Sequence, residues 1–245
     1  MVWEGASLWM LASEHDAADV QPHAHHAIQI TFGLQGVFEL CADGICLSGP
    51  IVAIDSDRRH TFRGSGAVAF LFVAPESAAG IALAATFFRQ GPLATLTGGA
   101  VKDALEALRH GFHSEPGAEA LRDLGRKIVA ALAIGAGAGR PDRRVLGMIG
   151  YAAGNLENRI SLPAAADHIH LSPSRARHLF VAHTGLPFKA YVLWLRLERA
   201  VQLYAGGASL TEAAHQAGFA DSAHLSRTFR RTFGLPAAAL RLAGS

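Results

Sequence analysis

Ala213-Ala-His-Gln-Ala-Gly-Phe219, continued by Ser222-Ala-His-Leu-Ser-Arg-Thr-Phe-Arg-Arg231 and Phe233-Gly-Leu-Pro236, is the stretch whose reading decides the fold. Just before it, Ser209-Leu-Thr-Glu212 has the form of a capping box, in which the hydroxyl and the carboxylate satisfy each other's backbone donors at a helix start. Gly218-Phe219 supplies a tight turn, and a second helix bearing basic residues follows. Two helices joined by a short glycine-containing turn make a helix-turn-helix unit.

The pattern occurs twice. Ser161-Leu162 recurs as Ser209-Leu210 at an offset of 48, while Phe180 recurs as Phe229 and Gly185-Leu-Pro187 as Gly234-Leu-Pro236 at an offset of 49. The two copies differ by one residue, in the turn. Between them the segment from Phe188 to Tyr204 reads as one helix, about 25 Å long at 1.5 Å per residue. The predicted units span about 161–183 and 209–232.

Residues 159 to 241 resemble the DNA-binding domain of the AraC/XylS family of bacterial transcription regulators. The resemblance is carried by Leu171-Ser-Pro-Ser-Arg175, Thr184-Gly-Leu-Pro187, Leu195-Arg-Leu-Glu-Arg-Ala200 and the second-copy stretch quoted above. It implies two helix-turn-helix units joined by a long helix and bound to double-stranded promoter DNA. A recognition helix offers base edges the side chains three or four apart on one face. In the first copy these are Ser174, Arg177 and His178, with Arg175 at the margin; in the second they are Ala223, Ser226 and Arg227, with His224 beside them and Arg230 and Arg231 further on. Arg177 and Arg227 are the candidates for guanine, since a guanidinium holds O6 and N7 together. Arg230, Arg231 and Arg196 are assigned to phosphates or to structural ion pairs. The first copy departs from the family pattern: Ala165 and Ala176 stand where leucine is usual, and His170 takes a turn position usually given to glycine.

Upstream, Ile134 to Asp142 is glycine-rich and ends in Pro-Asp, which predicts a linker at 135–142 between an effector and dimerisation domain at 1–134 and a DNA-binding domain at 143–245. From Ser77 to Ala133 the apolar spacing of three and four predicts helices, which in this family would serve dimerisation. Residues 1 to about 75 carry short alternating or β-branched runs, such as Ile28-Gln-Ile-Thr-Phe32, Gly36-Val-Phe-Glu-Leu40 and Ala67 to Val73, which predict a small β-barrel. The expected fold class is therefore α+β: a cupin-like β-barrel with following helices, then an all-α domain.

His23-Ala-His25-His26-Ala-Ile-Gln29, then Gly36 and a distant His60, resembles the two motifs of the cupin barrel, which bind a divalent metal through histidines and a glutamate; here Gln29 takes the glutamate's place. In an extended strand His23, His25, Ala27 and Gln29 share one face and His26, Ile28 and Ile30 the other. His23, His25, Gln29 and His60 are thus the candidate pocket for a small-molecule effector, and also candidate ligands for Zn, Fe or Ni. Phe32, Phe38, Phe62 and Phe72 supply apolar wall or core. The expected protein is a one-component transcriptional regulator and not an enzyme, working as a homodimer on promoter DNA, with RNA polymerase as a further partner. The alternative is a metal-dependent cupin enzyme with an appended DNA-binding tail, against which Gln29 counts.

Composition agrees with this division. Of 245 residues half are hydrophobic and 17% charged, the reverse of a disordered chain. The net charge of +2 conceals an asymmetry: residues 1–140 carry 10 Lys and Arg against 14 Asp and Glu, while 141–245 carry 12 against 6. The basic half suits a polyanion. No run is long enough for a membrane span and the first residues lack a secretory pattern, so a cytoplasmic protein is expected. Two cysteines suit a reducing compartment. Cys41 and Cys46 flank Asp43-Gly44, a two-residue hairpin signal that sets them face to face, and are read as two inert thiols, with redox sensing the alternative.

Overall fold

The computed structural model describes residues 2, 3, 5–114, 117–134 and 139–237, side chains of 13–19 and 118 excepted. These residues form two compact units, one from those within 1–139 together with 230–237, the other from 140–229. Residues 135–138 of the expected linker lie outside the described residues.

The first unit is built on an eight-stranded sheet of β1 (Val2–Trp3), β2 (Ala6–His23), β3 (Ile28–Gly33), β4 (Phe38–Ala42), β5 (Ile45–Ser48), β6 (Ile51–Ile54), β7 (His60–Val73) and β8 (Leu93–Thr95), all neighbours antiparallel. Strand β7 is its spine. It pairs with β2 along one edge, while its other edge serves β4 with His60–Gly64 and β3 with Val68–Val73. The change of partner falls at Gly64–Gly66, where Gly66 (φ +83°) faces Gly36 (φ +77°) and a Cβ on either would strike the opposing backbone at 2.5 Å or less. That close approach explains a glycine at position 36.

Alternation along β3 divides its side chains between two buried faces. Ile28, Ile30 and Phe32 join Leu71 and Val73 of β7 and Leu8 of β2 in a core capped by Leu83 of α1 (Ala78–Phe87), Leu105 and Leu108 of α2 (Gly99–Ser114), and Ile128 and Leu132 of α3 (Ala118–Leu132). Gln29 and Thr31 project to the opposite face, where Trp9, Phe70 and Phe72 lie. The sheet is therefore covered on one side by helices and keeps polar side chains buried on the other.

The β4–β5 hairpin has the register expected from Asp43-Gly44, with Cys41 opposite Cys46 and positive φ at both turn residues, 51° and 78°. The inert-thiol expectation is corrected: the cysteines form a disulfide across the hairpin, with Cα atoms 4.1 Å apart. Two strands that already face each other bring the sulfurs within bonding reach.

The second unit is helical: α4 (Arg143–Ala153), α5 (Leu162–His168), α6 (Pro173–Thr184), α7 (Phe188–Ala205), α8 (Leu210–Gln216) and α9 (Ser222–Phe233), the last continuing into the first unit beyond Phe229. Four of these starts are held by a side-chain cap. Asp142, Ser161 and Ser172 cap α4, α5 and α6, and Ser209 with Glu212 closes the capping box at α8. Ala165, Ala166 and Ala176 are fully buried among Met148, Phe180 and Tyr191, so larger neighbours take up the room that leucines at 165 and 176 would fill. No helix among the described residues is long and apolar enough to cross a membrane.

Candidate nucleic-acid interface and effector pocket

In the second unit the predicted helix pairs form at α5–α6 and α8–α9, joined by α7, whose 18 residues span about 27 Å. Ser172 holds the start of α6 by accepting from the Arg175 amide, and Asp221 accepts from the His224 amide at the start of α9 at 2.6 Å. These caps fix where each recognition helix begins and hence which side chains share a face. Ser174, Arg175, Arg177 and His178 are all exposed on α6 while Ala176 and Phe180 are buried, and on α9 Ala223, Arg227, Arg230 and Arg231 are exposed, His224 and Ser226 half-buried, and Leu225 and Phe229 buried. At the offset of 49 Arg227 takes the place of His178 and Ser226 that of Arg177, so the two arginines stand one position apart on the same face of their helices. Arg196 is reassigned to structure: its guanidinium donates to the carbonyls of Leu156 and Asn158, both at 3.2 Å, behind the Gly218 turn.

The two turns are unequal. Gly218 has φ +81°, and a Cβ there would meet the Leu156 carbonyl at 2.3 Å. His170 occupies the first-copy turn with φ +55°, a left-handed conformation that costs a side-chain-bearing residue about 1–2 kcal/mol.

In the first unit, His23, His25 and His60 converge, with their candidate ligand atoms all within 4.8 Å of one another and all three side chains buried. The expectation that His23 through Gln29 form one strand is corrected. Strand β2 ends at His23 and β3 starts at Ile28, so His25 enters the site from the connection, while His23 pairs directly with His60 of β7. Each Nδ1 donates to a backbone carbonyl: His23 to Gln21 at 2.8 Å, His25 to Ala27 at 3.0 Å and His60 to Arg58 at 2.8 Å. That choice of tautomer leaves the lone pair on each Nε2. Burial first, then the neighbouring imidazole of His60, lowers His23 to about 4 and drives His25 well down; burial also lowers His60. All three rings are neutral at pH 7, as ligands and hydrogen-bond acceptors must be.

Two details of its hydrogen bonding stand out. The His60 Nε2 is buried with no hydrogen-bond partner. The Gln29 side-chain oxygen sits 2.9 Å from His25 Nε2, acceptor against acceptor, while its nitrogen lies 2.9 Å from the Thr31 hydroxyl. With its amide nitrogen toward His25, Gln29 donates to that lone pair; with its oxygen there, the two atoms can share a cation.

His26 points the other way, to a pair of carboxylates that sequence reading did not find. Its Nε2 lies 2.9 Å from Glu76 and its Nδ1 3.3 Å from Asp57. Burial opposes the charge, but hydrogen bonds and attraction from both acids prevail and raise its pKa to about 9. Position 76 is 50 residues away and carries no motif, so only the return of β7 beside β3 discloses the pair.

Two helix pairs with exposed arginines, in tandem, have the form of helix-turn-helix units, here with an antiparallel sheet domain preceding them. Residues 165–243 match the family described as "Helix-turn-helix domain". It is similar to the "HTH-type transcriptional activator RhaS" of Escherichia fergusonii, 36% identical over 94 residues, 38% of this chain and 34% of that protein. It is also similar to the "Uncharacterized HTH-type transcriptional regulator YpdC" of Escherichia coli K12, 33% identical over 84 residues, covering 33% and 29%. The "Bifunctional transcriptional activator/DNA repair enzyme Ada" of the same organism is 35% identical over 88 residues, covering 36% and 25%. The chain thus spans about a third or less of each of these relatives. Among solved structures, ToxT from Vibrio cholerae shares the fold at a TM-score of 0.62 and 10% identity, over 98% of this chain and 99% of that one. ToxT has also been solved bound to an unsaturated fatty acid, at a TM-score of 0.62 and 11% identity, over 100% and 99%.

Proposed function

We propose that this chain is a sequence-specific DNA-binding transcriptional regulator whose sheet domain takes a small-molecule effector. The observation that carries it is that each of two capped helices in the basic half of the chain exposes an arginine on the same face, Arg177 on α6 and, one position further along, Arg227 on α9. Domains at 1–134 and 143–245 divide the labour, α1 to α3 supply the contacts of a homodimer, and RNA polymerase is the partner on the promoter, all in the cytoplasm. The catalysis of the alternative cupin enzyme has no counterpart in this reading.

Selection of duplexes from a random pool by the full chain tests it. A consensus with two half-sites is expected, and Arg227→Ala should relax one position of the second by about 5- to 150-fold, the worth of a bidentate guanine contact at about 1–3 kcal/mol. Affinity should fall by about 10³ or more between about 50 and 200 mM salt if six phosphates are contacted. Recovery of no consensus, or a salt-insensitive affinity, would overturn the proposal.

His23, His25, Gln29 and His60 fit a divalent transition metal as well as an effector. Three neutral imidazoles have their outer N–H groups anchored on carbonyls, the arrangement that orients metal-bound histidines, and the Gln29 oxygen stands as the fourth donor. Ligands on one tetrahedral ion stand about 3.3 Å apart at bond lengths of about 2.0 Å, so rings now spread to 4.8 Å would draw in. Such an ion would supply a Lewis-acidic position for an effector. Metal analysis of the full chain beside His60→Ala tests this: one equivalent of metal lost in the variant supports it, and equal metal in both refutes it.

A further inference from the structure

The buried face of the sheet opposite the helices is lined by Trp9, Phe62, Phe70 and Phe72, with His23 and Gln29 as its polar members. What fills it comes from the far end of the sequence. Residues 230–237 group with the sheet domain, and the Phe233 ring lies 4.8 Å from Trp9, 5.8 Å from Phe72 and 5.9 Å from His25. Behind it Gly234 (φ +70°) runs so close to the end of β2 that a Cβ would meet the Gln21 carbonyl at 2.5 Å and His23 Nδ1 at 2.8 Å. The remaining cavity is about 20 Å³, room for about one water.

Phe233 matches the aromatic walls of this space but not its polar end. A phenyl ring cannot donate a hydrogen bond, yet the imidazoles beside it present lone pairs, and His60 Nε2 is buried without a donor. We propose that the sheet domain binds a single-ring aromatic molecule carrying a hydrogen-bond donor, a phenol or arylamine, which takes the place of the Phe233 ring and donates to the imidazole cluster. This rests on reading the domain as an effector domain and specifies the effector's chemistry. A benzoate is disfavoured, since its carboxylate would face acceptors; toluene fills the ring space and leaves the donor position empty. Because Arg227 lies six residues before Phe233 on the same helix, expelling the ring bears on the helix that carries the base-reading residue.

The test uses the full chain in EDTA, with phenol, toluene and benzoate titrated at millimolar concentration into wild type and Phe233→Ala by calorimetry. Phenol should bind both proteins in preference to toluene and benzoate. It should bind the variant at least about tenfold tighter, because the internal competitor is gone and the open state no longer has to be won. In the wild type, amide hydrogen exchange of residues 230–237 should rise as phenol saturates, a readout that survives if the variant does not fold. Phenol binding neither protein, binding no better than toluene, or leaving exchange of the 230–237 segment unchanged would overturn the proposal. Promoter affinity, measured in the same samples, separates the two claims: phenol that binds and loosens the tail without altering DNA affinity sinks ligand control and leaves the site standing.

Discussion

The pH dependence of stability offers a direct trial of the His26 cluster. His26 is clamped between Glu76, 5% exposed, and Asp57, 41% exposed, and is raised from 6.5 to about 9 once both acids have outweighed burial. A group whose folded pKa lies above its unfolded value binds its proton more tightly in the native state. Its contribution is complete below pH 6.5 and disappears as pH climbs through about 9. The gap amounts to about 3 kcal/mol at about 1.4 kcal/mol per pH unit, and about 2 kcal/mol after discounting the solvent-screened Asp57. His23, His25 and His60 act in the opposite sense, since their folded pKa values are lowered, so their effect belongs below pH 6.5 and leaves the alkaline window to His26. Urea unfolding of the full chain at pH 7 and pH 9.5, followed by sheet-domain fluorescence, should show that loss. Glu76→Gln keeps an acceptor but removes the buried charge, and should flatten the profile while lowering stability at pH 7. Parallel profiles for variant and wild type, or a His26 proton resonance titrating near 6.5 in the wild type, would show that the clamp carries no such energy.

Three further outcomes are expected. His170→Gly relieves a left-handed side-chain-bearing residue and should stabilise the helical unit by about 1 kcal/mol in thermal unfolding; a lowered midpoint would show that the imidazole supplies more than the turn costs. Opening the Cys41–Cys46 bridge by Cys41→Ala with Cys46→Ala should cost at most about 2 kcal/mol, because the closed loop is short and the Asp43-Gly44 turn already holds the strands; a larger loss in urea would contradict this. Ser209→Ala breaks the capping box at α8 and should cost about 1 kcal/mol, read by denaturation, with unchanged stability counting against the cap.

The helix-turn-helix pair is legible in sequence because its information is local. Ser209 and Glu212 lie three residues apart, Gly218 makes the turn between α8 and α9 with φ +81°, and Gly185 closes α6 with φ +72°. The hairpin at Asp43-Gly44 is local in the same way, and it fixed the Cys41–Cys46 register, though not that the sulfurs would join. Alternation also separated His26 and Ile28 from Gln29. It failed at His25, because a period of two holds only while the chain stays extended, and the chain turns between His23 and Ile28.

What sequence could not disclose is long-range, and it decides the chemistry of the sheet domain. Histidines at 23, 25 and 60 could be grouped from their resemblance to a motif, but the direction of their lone pairs depends on the carbonyls of Gln21, Ala27 and Arg58, which only the folded backbone brings to each Nδ1. The same imidazole type therefore serves two ends within four residues. Where carbonyls take the proton-bearing nitrogen and no acid is near, the ring is a neutral acceptor; where Glu76 and Asp57 close on both nitrogens, it becomes a cation that ties three turns together. Phe233 lies outside either pattern. In sequence it is one more apolar residue at helical spacing, and what distinguishes it is that it is the apolar occupant of a cavity with buried acceptors at one end. A side chain that fills a space without satisfying it holds that space open for a molecule that can do both.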